Sequence, residues 1–372
     1  MKRLVLVGGG HAHIEVLRAL AANPDGRLHV VLVTPYAWLA YTGMLPGHIA
    51  GHYALEECRI DLAALARRAS ADLMLTTVSL VSPDANEVIC ADGSVLRYDA
   101  LSLDVGSQPA VGTARGVEAY AVVVRPLECA IQGWNKAYAR AAKGQVKAIT
   151  IVGGGAGGIE LAFAMNHRLR TTLEAPVPHV RIVSDAAGAG LAAGARRRLV
   201  RRMRHAGVAS HVGSPVSEVG PGYVRLASGL EFASDAVFWA TGAAAHDWIA
   251  DSGLASDERG FLLTNDRLQS VSHSNVFGAG DCATVKGNPR PRAGVFAVRA
   301  GPILAANLRA AIFGEPLQSF LPPRNFLALI STGDRHAVGT WGRLSWQGRW
   351  AWRWKDRIDR RFVQKYRTAE PA

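Results

Sequence analysis

The sequence predicts an α/β chain built from two βαβ units in tandem and closed by a C-terminal segment of different character. Three observations predict it. Leu4 to Val7 is a short apolar run that flows into Gly8-Gly9-Gly10-His11-Ala12-His13 and then a helical pattern at Ile14, Val16, Leu17 and Leu20. Ala148 to Val152 repeats the design, with Gly153-Gly154-Gly155-Ala156-Gly157-Gly158 ahead of Ile159, Leu161, Ala162 and Met165. Each unit then offers a second apolar strand, His29 to Val33 and Val180 to Val183. Strand, glycine turn, helix and parallel strand make a Rossmann-like unit, and two copies about 145 residues apart make a tandem.

Composition bounds the rest. The 372 residues are 49% hydrophobic and 19% charged, enough for two or three domains with cores of their own. That content excludes disorder for the bulk of the chain, and the 39 glycines show no collagen period. The net charge of +12 permits an anionic partner. Cys58, Cys90, Cys129 and Cys282 stand at least 32 residues apart, which excludes a C-x-x-C pair and fits a cytoplasmic protein. No run approaches ~18 uninterrupted apolar residues, so no spanning helix is expected. Met1-Lys2-Arg3 before Leu4–Val7 is too short for a signal peptide.

The glycine turns carry specific chemistry. The first glycine makes the tight turn, the second lets a pyrophosphate approach, and the third lets the helix pack on the strand, while the helix N-terminus supplies N–H donors and a positive dipole. Gly153, Gly155 and Gly158 complete the second copy, whereas the first has Gly8 and Gly10 with His13 in the third place. An acidic residue usually grips the ribose at the end of the next strand. Thr34 and Ser184 stand there, able to hydrogen-bond but uncharged, so the choice between NADH and NADPH stays open. The six arginines from Arg196 to Arg204 read as a solvated helix face rather than a 2′-phosphate site. His11 and His13 form an H-x-H, but a turn that holds pyrophosphate leaves no third ligand, so no metal is expected. Two later strands end in Ala240-Thr241-Gly242 and Gly280-Asp281.

In this order the motifs resemble the two-dinucleotide flavoproteins of the pyridine nucleotide-disulfide oxidoreductase superfamily, over about residues 3–315. Within it the chain looks like the type II NADH dehydrogenase branch, and most like the oxidoreductase module linked to selenophosphate synthetase. Gly8 to His13, Tyr41-Thr42-Gly43-Met44-Leu45-Pro46-Gly47, Ile49 to Tyr53, Ala293 to Arg299, Ser331 to Arg335 and Gly348-Arg349-Trp350 carry that likeness. The resemblance implies a glutathione-reductase-like fold. Residues 1–120 and 262–316 would form an FAD domain, 121–261 an inserted NAD(P)H domain, and 317–372 a cap. It implies that Gly8, Gly9, Gly10, His11 and Ala12 hold the FAD pyrophosphate. Thr34 and Pro35 would face its ribose and Val78 its adenine. Thr42 would lie near the flavin ring, with Asp104 and Gly106 flanking it. Gly280 and Asp281 would meet the ribityl chain, and Gly294 and Val295 the isoalloxazine. Gly153, Gly155, Gly158, Ser184 and Gly242 would cradle NADH or NADPH. Glu160 resembles the glutamate kept between nicotinamide and flavin, with complementing the helix dipole as its other reading.

Disulfide reductases of this fold carry two cysteines close in sequence, and this chain has no such pair. The expected route is therefore hydride from NAD(P)H to flavin and on to a small-molecule acceptor, a quinone first, with a selenium or sulfur compound, or a nucleotide-sensing flavoprotein without turnover, as alternatives. Cys129 and Cys282 read as small buried hydrophobes, with sulfur or selenium chemistry the other reading for Cys129. Residues 341–367 hold five of the nine tryptophans, nine basic residues and two acidic ones. Trp346, Trp350, Trp354, Ile358, Phe362 and Tyr366 recur every four residues. That pattern predicts an amphipathic helix, read as a peripheral anchor on the inner face of the cytoplasmic membrane, or as a helix packed on the body or on a homodimer mate. No nucleic-acid partner is expected.

Overall fold

The computed structural model describes residues 1–186, 188 and 190–367. Two five-stranded parallel sheets carry the fold. The first runs in the order Val276–Gly278, Ala100–Leu103, Lys2–Val7, Leu28–Val33, Ala71–Met74. The second runs Ala121–Val123, Ala236–Trp239, Ala148–Val152, His179–Ser184, Ala209–Val212. The apolar runs read from the sequence are their central strands, buried throughout Leu4–Val7 and Ala148–Val152, as sheets covered on both faces require. Each unit also carries a three-stranded antiparallel meander. One is Val78–Ser82, Glu87–Cys90 and Val95–Arg97, and the other Val216–Gly220, Tyr223–Leu226 and Glu231–Ala233. The internal repeat thus extends well past the βαβ motif.

The second unit lies within the first in sequence, because Val276–Gly278 returns to pair with Ala100–Leu103. Gln108–Pro109 and Ala243–Ala244, on the two crossovers, pair antiparallel. Thr241 of the Ala-Thr-Gly motif donates its hydroxyl to the Ala110 carbonyl at 2.6 Å, and Trp239 Nε1 donates to the same oxygen at 3.1 Å. That motif's threonine ties the two crossovers together.

Helix Gly294–Phe313 packs on helix His11–Ala22, and Gly301 permits it, since a Cβ there would lie 2.8 Å from Glu15 Cβ. By length and composition alone this helix could cross a membrane. It offers no uninterrupted apolar run, because Arg299 and Arg309 interrupt it. Leu304, Asn307 and Leu308 are buried, and Asn307 Nδ2 bonds the Arg267 and Gln318 carbonyls at 2.8 Å, which marks a core helix.

The C-terminal segment corrects one expectation. Residues 341–367 are not one helix. Leu327–Ser331, Ala337–Trp341 and Leu344–Gly348 form an antiparallel sheet, and the helix is Arg349–Tyr366. Gly342, at φ +56°, makes the tight turn that puts Trp341 and Trp346 on strands. Within the helix a four-residue recurrence drifts about 40° per step, because a turn takes 3.6 residues. Trp350, Trp354 and Ile358 therefore face out, at 54%, 42% and 39% exposure, while Tyr366 is buried against the body. Lys355, Asp359 and Val363 line the inward face.

The last turn of this helix is fastened by Glu15, a buried carboxylate on the first helix. It accepts from Arg18 Nη2, Lys365 Nζ and Tyr366 Oη, each at 2.7 Å. Burial alone would push its carboxyl up, but these three donors hold it down at about 2. A depressed carboxyl stabilises the fold above its unfolded range near 4.5, and that contribution is lost as pH falls toward 2. We expect Glu15→Gln to cost about 2–3 kcal/mol at pH 7. Urea unfolding should show that deficit shrinking between pH 5 and pH 3, and a deficit constant with pH would refute the charge network.

Candidate functional site

The second glycine turn is open. Gly153 sits at φ +123°, where a side chain would also run into the Ala240 carbonyl. A Cβ on Gly158 would collide with the Gly153 carbonyl, so the third glycine does set helix against strand. Around Gly155 nothing lies within 4 Å of a Cβ position, and helix Ala156–Thr172 starts without a side-chain cap. Among the described residues its first amides have no partner outside the helix, which leaves them open to an anion. A Cβ position on Gly242 is likewise clear to 4 Å. Ser184 sits against Gly154, but its hydroxyl donates to the Ala186 carbonyl at 2.9 Å. An acidic residue stands one place later. Asp185, exposed, accepts from the Ala186 N–H at 2.8 Å, and the sequence reading passed over it by stopping at the strand end.

The first turn is built differently. Gly8 lies at φ +94° and Gly9 borders the Thr34 hydroxyl, with Pro35 next along the chain. In the third-glycine place the buried His13 ring bridges helix and sheet. Nδ1 donates to the Gly8 carbonyl at 2.6 Å, and Nε2 accepts from the Ser102 hydroxyl at 2.8 Å. Burial lowers this imidazole to about 4, so it is neutral, and a carbonyl can only accept, which fixes the tautomer. His11 is likewise lowered to about 4 by burial. Its ring packs beside the stacked Tyr41–Phe362 pair, at 5.6 and 5.7 Å between centroids, and its Nε2 has no partner among the described residues.

Asp104 is held by the first helix. Its buried carboxylate stands over the start of that helix, and Oδ2 accepts from the N–H groups of Ala12 at 2.7 Å and His13 at 3.1 Å. It fills the space over Gly10 and Gly280 so closely that a Cβ on either would collide with it. Burial pushes this carboxyl up to about 7, the two amides only partly offset that, and the nearby Asp281 adds to it.

Asp281 accepts no hydrogen bond among the described residues. Burial pushes its carboxyl up, against Arg125 and Arg292, and Arg125 Nη1 stands 3.8 Å away. Arg125 also donates to Ser107 at 2.7 Å. It lies on the crossover between units, where no motif signals it. Gly294 opens its helix without a side-chain cap, Val295 follows, and the Thr42 hydroxyl lies 3.8 Å from a Gly294 Cβ position. Gly106 borders open space at φ +71°. Val78 belongs to the meander, paired with Cys90. An orphaned imidazole nitrogen, a carboxylate without a hydrogen bond among the described residues and an uncapped helix are donors and acceptors that suit the phosphates, polyol and ring of FAD.

Glu160 sits where three elements meet. Its Oε1 accepts from the Ser331 N–H at 2.8 Å, which ties the cap to the helix after the second turn. The buried Lys355 donates to Asp359 at 2.7 Å and to the Gly43 carbonyl at 2.6 Å. Burial raises Glu160 to about 6, while Lys355 and the Ser331 amide pull it down. Burial would lower Lys355, but Asp359 and Glu160 outweigh it and the ammonium stays charged. The four cysteines are free. Burial pushes Cys58 and Cys282 up to about 12, so both are thiols rather than nucleophilic thiolates. Of the six arginines on helix Ala193–Ala206, Arg202 pairs with Asp334 at 2.5 Å and Arg198 donates to Ser345 at 3.4 Å, so two of them dock the cap and the face is not wholly solvated.

Two parallel-sheet units, each opened by a phosphate-type glycine turn and joined by paired crossovers, define an oxidoreductase of the two-dinucleotide class. The chain belongs to the pyridine nucleotide-disulphide oxidoreductase family, whose model matches residues 2–301. Members bind FAD and NADH or NADPH, and this chain is an FAD-dependent NAD(P)H oxidoreductase. It is 24% identical to a probable NADH dehydrogenase of Dictyostelium discoideum over 316 residues, 78% of this chain and 69% of that one. Its fold is similar to NDH2 of Plasmodium falciparum solved with NADH, at TM-score 0.83 and 13% identity over 98% and 97% of the two chains. It is also similar to the sulfide:quinone oxidoreductase of Aquifex aeolicus, at TM-score 0.81 and 17% identity over 98% and 91%.

Two substitutions separate architecture from ligand at the second turn. Gly155→Ala has room and an ordinary φ, so stability should hold within about 0.5 kcal/mol while NAD(P)H binding weakens at least tenfold. Gly158→Ala should instead lower the free energy of unfolding by about 1–3 kcal/mol. Thermal melts and nucleotide titrations would reveal the opposite pattern if the open space has no ligand.

Proposed function

We propose that this protein is an NAD(P)H dehydrogenase that passes reducing equivalents to a quinone without a redox-active disulfide. The observation that carries this reading is the position of Glu160, a carboxyl raised toward neutrality where the nucleotide helix, the Tyr41–Pro46 loop and the cap meet. FAD, when bound, supplies the two-electron chemistry that accepts hydride from the nicotinamide and delivers it to the acceptor. Quinone reduction also consumes a proton, and Glu160 is the group placed to give it. Lys355 keeps a positive charge beside it, and Asp359 with the Gly43 carbonyl holds that ammonium in place. Asp185 favours NADH, since a 2′-phosphate would meet its carboxylate.

The outer face of the cap supports a membrane-bound acceptor. Trp350, Trp354 and Ile358 project outward among the exposed Arg349, Arg353, Arg357 and Arg361, and Trp346 stacks beneath the two tryptophans at 6.3 and 6.2 Å. Aromatic and basic side chains together suit an anionic lipid surface, at about 1 kcal/mol per basic group. A second reading, with a selenium or sulfur compound as acceptor, draws on the Ser331–Arg335 motif, whose first N–H holds Glu160.

Anaerobic NADH should bleach the bound flavin, at lower concentration than NADPH, and a quinone should restore it faster than selenite or polysulfide. Glu160→Gln should keep the bleaching but lower quinone turnover by about 10²-fold. Because proton donation needs the protonated carboxyl, wild-type turnover should fall as pH rises through about 6, and the variant should lose that limb. Unchanged turnover in Glu160→Gln would remove the glutamate from the mechanism. Trp350→Ala/Trp354→Ala should bind anionic vesicles at least tenfold more weakly in a sedimentation assay, whereas equal binding would rule out this face.

A further inference from the structure

The two glycine turns differ in one respect that their sequences hide. The second presents bare amides, while the first already holds an anion of its own. Asp104 reaches across from the strand Ala100–Leu103 and accepts from Ala12 and His13, two of the orphan donors that begin the first helix. Gly10, the N-cap, has no side chain to do this, and a Cβ at Gly10 or at Gly280 would collide with the Asp104 carboxylate. The carboxylate has no cation within ion-pair distance among the described residues. Arg125 answers Asp281, and the Asp281 charge opposes ionisation of Asp104 rather than balancing it.

We propose that Asp104 couples FAD binding to proton uptake: the carboxylate caps the first helix in the free protein, and it takes a proton from solvent when the pyrophosphate arrives. This rests on the reading that the first turn holds FAD. The physical reason is that one helix N-terminus cannot hold a pyrophosphate and a buried carboxylate as full anions without strong repulsion. The carboxylic acid resolves it. The free protein's carboxylate, one solvent proton and FAD give the complex with a neutral Asp104, which still accepts from an amide and gains an O–H to donate to an anion.

No other group around Asp104 accounts for such a proton. On the first helix, His11 and His13 are neutral down to about pH 4. On the turn Gly280–Cys282, the Cys282 thiol is held up at about 12, and Asp281 faces Arg125 and Arg292. Burial already brings the Asp104 carboxyl up to about 7 before any ligand adds its charge. The bound ligand raises it further, so FAD is held tightly at low pH and released as pH rises.

The test uses the full-length protein and FAD itself. FAD release on dilution, followed by recovery of flavin fluorescence between about pH 5.5 and 9, should show Kd rising about tenfold per pH unit above pH 7. Calorimetry of FAD rebinding at pH 8, in two buffers of different ionisation enthalpy, should report about one proton taken up. Asp104→Asn keeps an acceptor for the amides and cannot ionise, so its Kd should be flat with pH and at least tenfold below wild type at pH 8. Wild-type binding that is flat with pH and takes up no proton overturns the proposal while leaving the FAD site intact. Failure to bind FAD at any pH overturns both. The proton count on the wild type decides the matter even if the variant does not fold.

Discussion

An α-helix begins with amides that its own backbone cannot satisfy, and this molecule uses that deficit twice. At the second turn the amides after Gly155 are left bare above open space, and every nearby choice serves that exposure. Gly153 bends the chain, Gly158 draws the helix onto the strand, and the Ala-Thr-Gly strand backs both. At the first turn the same deficit is met from within by Asp104. Once a carboxylate fills that place, Gly10 and Gly280 must stay without side chains, and the His13 ring bridges helix and sheet beside it. One chemical shortage thus dictates residues from three distant parts of the chain.

The cap shows how a segment outside the matched family region can belong to the site. It touches helix Ala156–Thr172 through Ser331 and Glu160, the Tyr41–Pro46 loop through Lys355 and Gly43, and the first helix through Glu15. Its inward face is polar at Lys355 and Asp359 and apolar at Val363, and both buried charges are paired. A buried ion pair of this kind is weak evidence for added stability, because desolvation offsets the attraction. Its value here is positional. The ammonium holds the loop that carries Thr42 and sets the charge next to Glu160.

Much of this was legible in the sequence, for identifiable reasons. Parallel strands buried on both faces leave uninterrupted apolar runs, and a tight turn beside a helix leaves glycines, so both units announced themselves. What stayed hidden depends on distance in sequence. Asp104 lies 92 residues from the amide it caps, and no local pattern links a strand-end aspartate to a helix start. Arg125 sits on a crossover with no periodicity to mark it. Asp185 was missed because the motif was counted to the end of the strand rather than one residue past it. The tryptophan recurrence misled for a geometric reason. Spacing by four is close to a helical repeat, yet here it spans a hairpin and then drifts around the helix, so its members end on different faces.

The pairing of Gln108–Pro109 with Ala243–Ala244 has an evolutionary reading. A segment that leaves its host and rejoins it side by side behaves like a cassette. It can be gained, lost or exchanged in one genetic event without displacing what it interrupts. Thr241, by latching onto Ala110, closes the mouth of that cassette. The duplicated meanders on the two halves are what one would expect if the inserted piece began as a copy of its host.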